Sequence, residues 1–280
     1  MNINLAITQG AKVLKKNFIK NPYLDSEILM AKAVKKDRTY ILLNSNKYVE
    51  IKDLNFFQKL IKKRSLGTPI AYLTNKKFFW NTEFLVSNET LIPRPDTELM
   101  IEKVLGLTAN KKKINMLEIG IGSGCILLSI LKERKDFYGT GIDISKSCLN
   151  ISKLNATKMK VSTKLKLYQS NVDKFNLGKY DLVISNPPYI KKCELKYLDK
   201  DVAKFEPKLA LDGGVDGLVK IRKVIKKSSD LIKKNGKFVL EIGFDQKIKV
   251  INLLKKEGFY INSVNKDLAK NDRCIVCTKI

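Results

Sequence analysis

Asn186, Pro187, Pro188 and Tyr189 follow the apolar run Leu182-Val183-Ile184 with only Ser185 between. A short apolar run introduced by Asp181 and stopped by two prolines reads as a buried strand with an abrupt end. Proline fixes its own φ and restricts the residue before it, so the backbone of Asn186 and Pro187 is held extended. A carboxamide oxygen and rigid main-chain carbonyls accept hydrogen bonds from an –NH2 group, and Tyr189 offers an aromatic face beside them. Open α/β sheets bind ligands beyond the carboxyl ends of their strands, where this loop falls. The chemistry suggested is the holding of a planar, neutral nitrogen for attack. A strand-terminating turn is the plainer reading of Asn-Pro-Pro taken alone.

A second set of residues lies upstream. Ile114 to Ile119 reads as a strand, Gly120-Ile121-Gly122-Ser123-Gly124 follows at once, and Cys125 to Leu131 reads as the start of a helix. Strand, glycine loop and helix together are the context in which a glycine motif binds a nucleotide. Asp143, nineteen residues beyond Gly124, ends the next candidate strand and can accept both hydroxyls of a ribose. A dinucleotide fingerprint would need Gly or Ala at position 125, which is Cys. The pattern is instead acid-x-G-x-G-x-G, led by Glu118, and a carboxylate there suits a ligand carrying ammonium and sulfonium charges rather than a pyrophosphate.

The elements that must position these residues can be read from periodicity and punctuation. Leu5 to about Ile19, Tyr23 to Lys35, Arg38 to Asn44 and Asp53 to Arg64 have helical apolar spacing, and Gly67-Thr68-Pro69 ends that block. Phe78 to Trp80 and Glu83 to Val86 flank Asn81-Thr82 as a hairpin. After a helix from Leu91, candidate strands near 114–119, 138–142, 165–169, 181–185, 237–242, 259–264 and 274–279 alternate with helical stretches. That order predicts an α/β fold, a mostly parallel sheet covered on both faces, closed by an antiparallel C-terminal hairpin.

Composition bounds the function further. The chain of 280 residues is 44% hydrophobic, enough for a sizeable core and two domains. It has no apolar run of about 18 residues and no signal-peptide pattern, so a cytoplasmic protein without a membrane anchor is expected. The five cysteines (125, 148, 193, 274, 277) are scattered and odd in number, which points to free thiols in a reducing compartment. Cys274 and Cys277 lie three apart in a candidate strand and point to opposite faces; with no histidine in the chain, no metal site is expected. The net charge is +26, yet only six of 54 basic residues are Arg (38, 64, 94, 134, 222, 273). Lysine spread along the whole chain reads as solvated surface that would favour an acidic protein partner, without stable nucleic-acid binding.

With the glycine loop, Asp143 and the Asn-Pro-Pro-Tyr loop together, the chain resembles the S-adenosylmethionine-dependent methyltransferases that act on nitrogens. Pro69 to Thr74, Phe78-Phe79-Trp80, Leu91 to Glu98, Phe205-Glu206-Pro207 with Leu209-Ala210-Leu211, and Asn271-Asp272-Arg273 narrow the resemblance. They are similar to stretches of the peptide-chain release factor glutamine methyltransferases, the PrmC or HemK family, over roughly positions 66 to 280. The resemblance implies a Rossmann-like seven-stranded sheet and a small helical domain at 1–75 that recognises substrate. A hairpin linker at 76–92 and a catalytic domain at 93–280 complete the expected plan. The implied cofactor is S-adenosylmethionine, leaving as S-adenosylhomocysteine, held by Glu118, Gly120, Ile121, Gly122, Ser123, Gly124, Asp143, Asn171, Val172 and Asn186. Asn186, Pro187, Pro188 and Tyr189 are the implied catalytic loop, with Phe79 and Arg94 joining them around the substrate. The implied partner is a class-1 release factor, the enzyme acting as a monomer.

Several alternatives stay open at the level of sequence. Arg94 and Glu98, four apart at a helix start, either pair with each other or wall the site; Phe78, Phe79 and Trp80 either form hairpin core or line the pocket. Glu206-Pro207 is either a loop corner or a support behind the catalytic loop. The chain departs from the family at Ser170-Asn171-Val172-Asp173, where Ser-Asp and a large apolar residue are expected, so Val172 offers adenine less stacking area. Absence of histidine excludes acyl-transfer triads and histidine proton shuttles. Methyl transfer needs neither, because alignment and electrostatics suffice. Methylation of an exocyclic base nitrogen would use the same loop, although no base-flipping domain is evident.

Overall fold

The computed structural model describes residues 1–280, which divide into two compact units. The first comprises Met1–Lys76 together with Asp199–Phe205. It contains α1 (Ile3–Lys16), α2 (Pro22–Ala33), α3 (Arg38–Leu43), α4 (Ile51–Ser65) and α5 (Ile70–Thr74). Asn2 caps α1 by accepting from Leu5 N at 2.8 Å, and Pro22 opens α2, where its missing N–H goes unneeded. Gly10 lets three helices meet: a Cβ there would stand within 3 Å of Ser26 Oγ, Phe57 and Ile61. The helical block runs on past Pro69, because proline cannot continue α4 but can open the short α5, which ends at Asn75 in the left-handed region.

The second unit comprises Lys77–Leu198 and Glu206–Ile280. A hairpin of β1 (Lys76–Phe79) and β2 (Thr82–Leu85) leads to α6 (Glu98–Leu107), β3 (Asn115–Ile119), α7 (Cys125–Glu133), β4 (Tyr138–Asp143) and α8 (Lys146–Lys158). There follow β5 (Leu165–Gln169), β6 (Tyr180–Ser185), α9 (Lys200–Phe205, in the first unit), α10 (Val219–Leu231), β7 (Ile232–Glu241), α11 (Lys247–Lys256), β8 (Phe259–Lys266) and β9 (Asp272–Lys279). The seven-stranded sheet has the order β5-β4-β3-β6-β7-β9-β8, with β9 antiparallel to both its neighbours.

Alternate residues of the central strands feed two cores. Met116, Leu182, Ile184 and Val239 pack with α6 and α7 on one face; Leu117, Val183, Phe238 and Leu240 pack with α10 and α11 on the other. Burial on both faces is why these strands read as continuous apolar runs. Cys274 and Cys277 fall in opposite cores, as their spacing predicts. Phe79 and Phe84 of the hairpin are buried in the first of these cores, edge to face at 6.1 Å. No helix is long and apolar enough to cross a membrane.

Candidate active site

Strand order reverses between β3 and β6: from β3 the chain runs outward through β4 and β5, then returns to β3's other side. Such a switch opens a crevice at the carboxyl edge. Register then decides which residues share it. Ile119 pairs with Ile142 and with Ser185, and Ser185 pairs with Leu240. One residue further along each strand stand Asp143, Gly120, Asn186 and Glu241, a row across four adjacent strand ends. At the ordinary strand spacing it spans about 14 Å.

The glycine loop is built to receive a ligand from its open side. Gly120 and Gly122 have positive φ, and a Cβ on either would meet nothing within 4 Å. Gly124 serves packing instead, since its Cβ would strike Leu128 at 2.7 Å. The N–H groups of Gly120 and Ile121 both go to Ile142 O, that of Gly122 to Asp143 Oδ2 at 2.9 Å, and that of Gly124 to Ile121 O. A loop that has spent its donors in this way is a poor cradle for phosphate. Burial holds the Glu118 carboxyl well above the usual range, against the pull of Leu127 N, and Asp143 pushes it the same way as burial. Burial also raises Asp143, with the N–H groups of Ser145 and Gly122 opposing. Carboxylates gathered beneath an open loop fit a cationic ligand.

The loop after β6 is fixed from several sides. Asn186 Nδ2 donates to Thr97 Oγ1 at 3.3 Å. Tyr189 donates from its hydroxyl to Glu241 Oε1 at 3.3 Å, and the Arg273 guanidinium lies 6.0 Å from its ring centre. Burial and the Glu241 charge push the Tyr189 hydroxyl well above its ordinary range. Glu241 is 2% exposed, and burial pushes its carboxyl up to about 7, against Thr97, Arg273 and Tyr189. Gln246 donates to Tyr189 O at 2.9 Å and to Gly217 O at 3.1 Å.

Residues 6–74 match the PrmC N-terminal domain, and residues 95–213 match the methyltransferase small domain. The release factor glutamine methyltransferase of Buchnera aphidicola subsp. Schizaphis graminum is 36% identical over 273 residues, covering 98% of each chain. That of Clostridium acetobutylicum is 34% identical over 282 residues, covering 100% of this chain and 99% of the other. The chain belongs to the release factor glutamine methyltransferase family. The Rickettsia typhi bifunctional methyltransferase is 33% identical over 95% of this chain and 55% of its own length, so the chain spans about half of that relative. In fold, a ribosomal protein L11 methylase from Lactobacillus delbrueckii subsp. bulgaricus is similar at TM-score 0.51 and 15% identity, over 68% of this chain and 82% of that one.

Within this family member, several residues expected at the site do something more local. Glu118 is buried beneath the loop, where Oε2 accepts from Leu127 N at 3.0 Å and caps α7. Ile121 is buried against Gly141, and the Ser123 carbonyl accepts from Asn155. Asn171 closes its own turn by accepting from Asp173 N at 3.2 Å, and Val172 packs on the α10–α11 core. Phe79 is 1% exposed in the other core, so the expectation that it lines the substrate pocket gives way to a packing role. Arg94 pairs with the buried Glu206, which also accepts from Ile92 N at 3.2 Å. Glu98 instead accepts from Trp80 N at 2.9 Å, so the Arg94–Glu98 pair allowed by spacing does not form.

Sequence reading passed over four residues that hold the site. Ser152 Oγ donates to Gly122 O at 2.8 Å, and Asn155 Nδ2 donates to Ser123 O at 2.9 Å. Two polar residues three apart on the buried face of α8 were the available signal. Thr97 and Glu241 are the others; Glu241 follows the apolar run Phe238-Val239-Leu240 much as Asp143 follows Ile142.

Proposed function

We propose that this chain transfers the methyl group of S-adenosylmethionine to the side-chain amide nitrogen of the glutamine in the Gly-Gly-Gln motif of class-1 peptide chain release factors. The reaction belongs in the cytoplasm, where translation terminates, and the helical unit is the part that recognises the release factor. What carries the reading is the Asn186 carboxamide, which stands beside the open glycine loop with its NH2 end committed to Thr97. Its oxygen is left to accept.

The chemistry supplied by bound S-adenosylmethionine is a methyl group already activated on sulfur, with S-adenosylhomocysteine as co-product. Asp143 uses one lone-pair direction per oxygen on backbone N–H groups and keeps the others for ribose hydroxyls. Ile144, 56% exposed beside it, offers adenine an apolar face where Val172 gives little. An amide nitrogen is a poor nucleophile because its lone pair is delocalised. The Asn186 oxygen and the Pro187 carbonyl, by accepting both of its N–H hydrogens, orient that nitrogen and favour the positive charge developing on it. The surplus proton leaves to water, so no strong base is needed.

Labelled S-adenosylmethionine incubated with the protein, a class-1 release factor and adenine-containing DNA and RNA side by side tests the reading. Label is expected on the release factor, and none on a release factor whose motif glutamine is replaced. Comparable transfer to nucleic acid would favour base methylation instead.

A further inference from the structure

The loop after β6 is anchored upstream by the sheet. Ser185 pairs with Ile119 and Leu240, and its Oγ donates to Ile119 O at 2.7 Å. Downstream, Ile190 N donates to Leu211 O at 3.1 Å and Ile190 O accepts from Gly213 N at 2.8 Å. Between these anchors lie Asn186 to Tyr189, where two prolines supply no N–H with which to tie the stretch down. Their fixed φ makes it a stiff strut, so the direction of the Pro187 carbonyl follows from where Tyr189 is held.

Gln246 holds it. This residue stands just ahead of α11 and is 3% exposed. Its Oε1 accepts from Gly243 N at 3.0 Å, while its Nε2 donates to Tyr189 O at 2.9 Å and to Gly217 O at 3.1 Å. An N–H can only donate and a carbonyl can only accept, so these three main-chain partners leave the carboxamide one way round. Although Gln246 occupies the N-cap position of α11, its side chain makes no capping bond to that helix. Its hydrogen bonds go instead to the turn after β7, the loop after β6 and the loop before α10.

The other side of the Tyr189 main chain is closed by glycines. A Cβ on Gly217 would stand 2.6 Å from Tyr189 O, and one on Gly213 would stand 2.8 Å from the Tyr189 carbonyl carbon. The Tyr189 peptide is therefore gripped between a donor and a glycine turn. We propose that Gln246, by holding Tyr189 O, sets where the Pro187 carbonyl meets the substrate amide. It is a positioning residue for the reaction proposed above, and the inference rests on that reading. Misplacing a reacting group by about 1 Å can cost a hundredfold in rate, so a link this near the loop bears directly on turnover.

The test compares wild type with Gln246→Met, Gln246→Glu, Gly213→Ala and Val250→Ala, measuring kcat and KM on a release factor and cofactor affinity by calorimetry. Gln246→Met removes the link, and Gln246→Glu keeps the shape and the acceptor for Gly243 N but presents an oxygen to Tyr189 O. Gly213→Ala leaves every partner in place and pushes on Tyr189 from the opposite side. Val250→Ala, which thins the core beneath α11, controls for lost packing alone. The first three are expected to lose about ten- to a hundredfold in kcat. KM and cofactor affinity should move less than about threefold, the pattern of an interaction felt mainly in the transition state. The folded fraction of Val250→Ala should turn over normally. A crystal structure of Gln246→Met, which needs no substrate, should show the Pro187 carbonyl displaced by about 1 Å. A kcat for Gln246→Met and Gly213→Ala equal to that of the control, or an unmoved Pro187 carbonyl, would overturn the proposal. If Gln246→Met does not fold, Gln246→Glu and Gly213→Ala decide by the same two measurements. Failure of wild type to label the release factor would count against the substrate assignment instead, leaving the position of the Pro187 carbonyl to judge Gln246.

Discussion

In the proposed reaction, Asn186 combines an acceptor for the substrate –NH2 group with a donor that would repel it. Asn186→Ala should therefore lower kcat/KM by about a hundred- to a thousandfold, or roughly 2.7–4 kcal/mol, while calorimetric cofactor affinity holds. Asn186→Asp keeps an acceptor and should retain partial activity. Near-wild-type rates in both variants would assign the positioning to the Pro187 and Pro188 backbone. Asp143 stands on the other side of the glycine loop, where it also ties Gly122 and Ser145. Asp143→Ala should weaken S-adenosylmethionine binding by about 1.5–3 kcal/mol through lost charge-assisted hydrogen bonds. Unchanged affinity in a titration would remove Asp143 from the cofactor site.

At the scale of elements, the first unit shows how a charge pair can decide helix packing. Arg64 near the end of α4 donates to Asp25 of α2 at 2.7 Å and to Thr68 O at 3.1 Å, with both side chains about nine-tenths buried. Replacing only the cation leaves a carboxylate buried without its partner. Arg64→Met should destabilise the unit by about 3–5 kcal/mol in denaturant unfolding, whereas an isosteric apolar replacement of both residues should cost far less. Helices of this unit were legible because their apolar stripes and their Asn and Pro boundaries agree. This pair was not, because Asp25 and Arg64 are far apart in sequence and each reads alone as ordinary helix surface.

Across the whole molecule, charge is divided between a lysine-rich surface and carboxylates collected at the carboxyl edge of the sheet. Glu241 carries a measurable consequence for stability. Its folded pKa, about 7, lies above the ordinary carboxyl value of 4.5, so the fold prefers it protonated. Its stabilising contribution is therefore complete below about pH 4.5 and is lost as pH rises through about 7. Wild type should lose up to about 3 kcal/mol relative to Glu241→Gln across that window, read from paired denaturation curves. Parallel curves would show that the group titrates normally.

Periodicity and punctuation determined most of the secondary structure, the mixed seven-stranded sheet, and the placing of Gly120, Asp143 and Asn186 at strand ends. Those features are local: a strand buried on both faces must be apolar throughout, and glycine, proline and a terminal carboxylate mark where it stops. Partners across strands were not legible, because contact between distant residues is set by register and by which face each strand turns to a helix. Leu-Glu-Ile-Gly occurs twice, at 117–120 and 240–243, and nothing in the tetrapeptide separates the two copies. Pairing of β3 and β7 through β6 sets Glu118 level with Ile184 and Val239, inside the sheet, where it caps α7. The same pairing carries Glu241 two residues further, level with Asn186, where it accepts from the Tyr189 hydroxyl. Phe79 and Phe84 entered the core, and Arg94 turned from Glu98 to Glu206, for the same reason. Sequence determined which chemical groups the chain owns and roughly where each strand ends; tertiary register alone decided which of two identical glutamates stands level with Asn186.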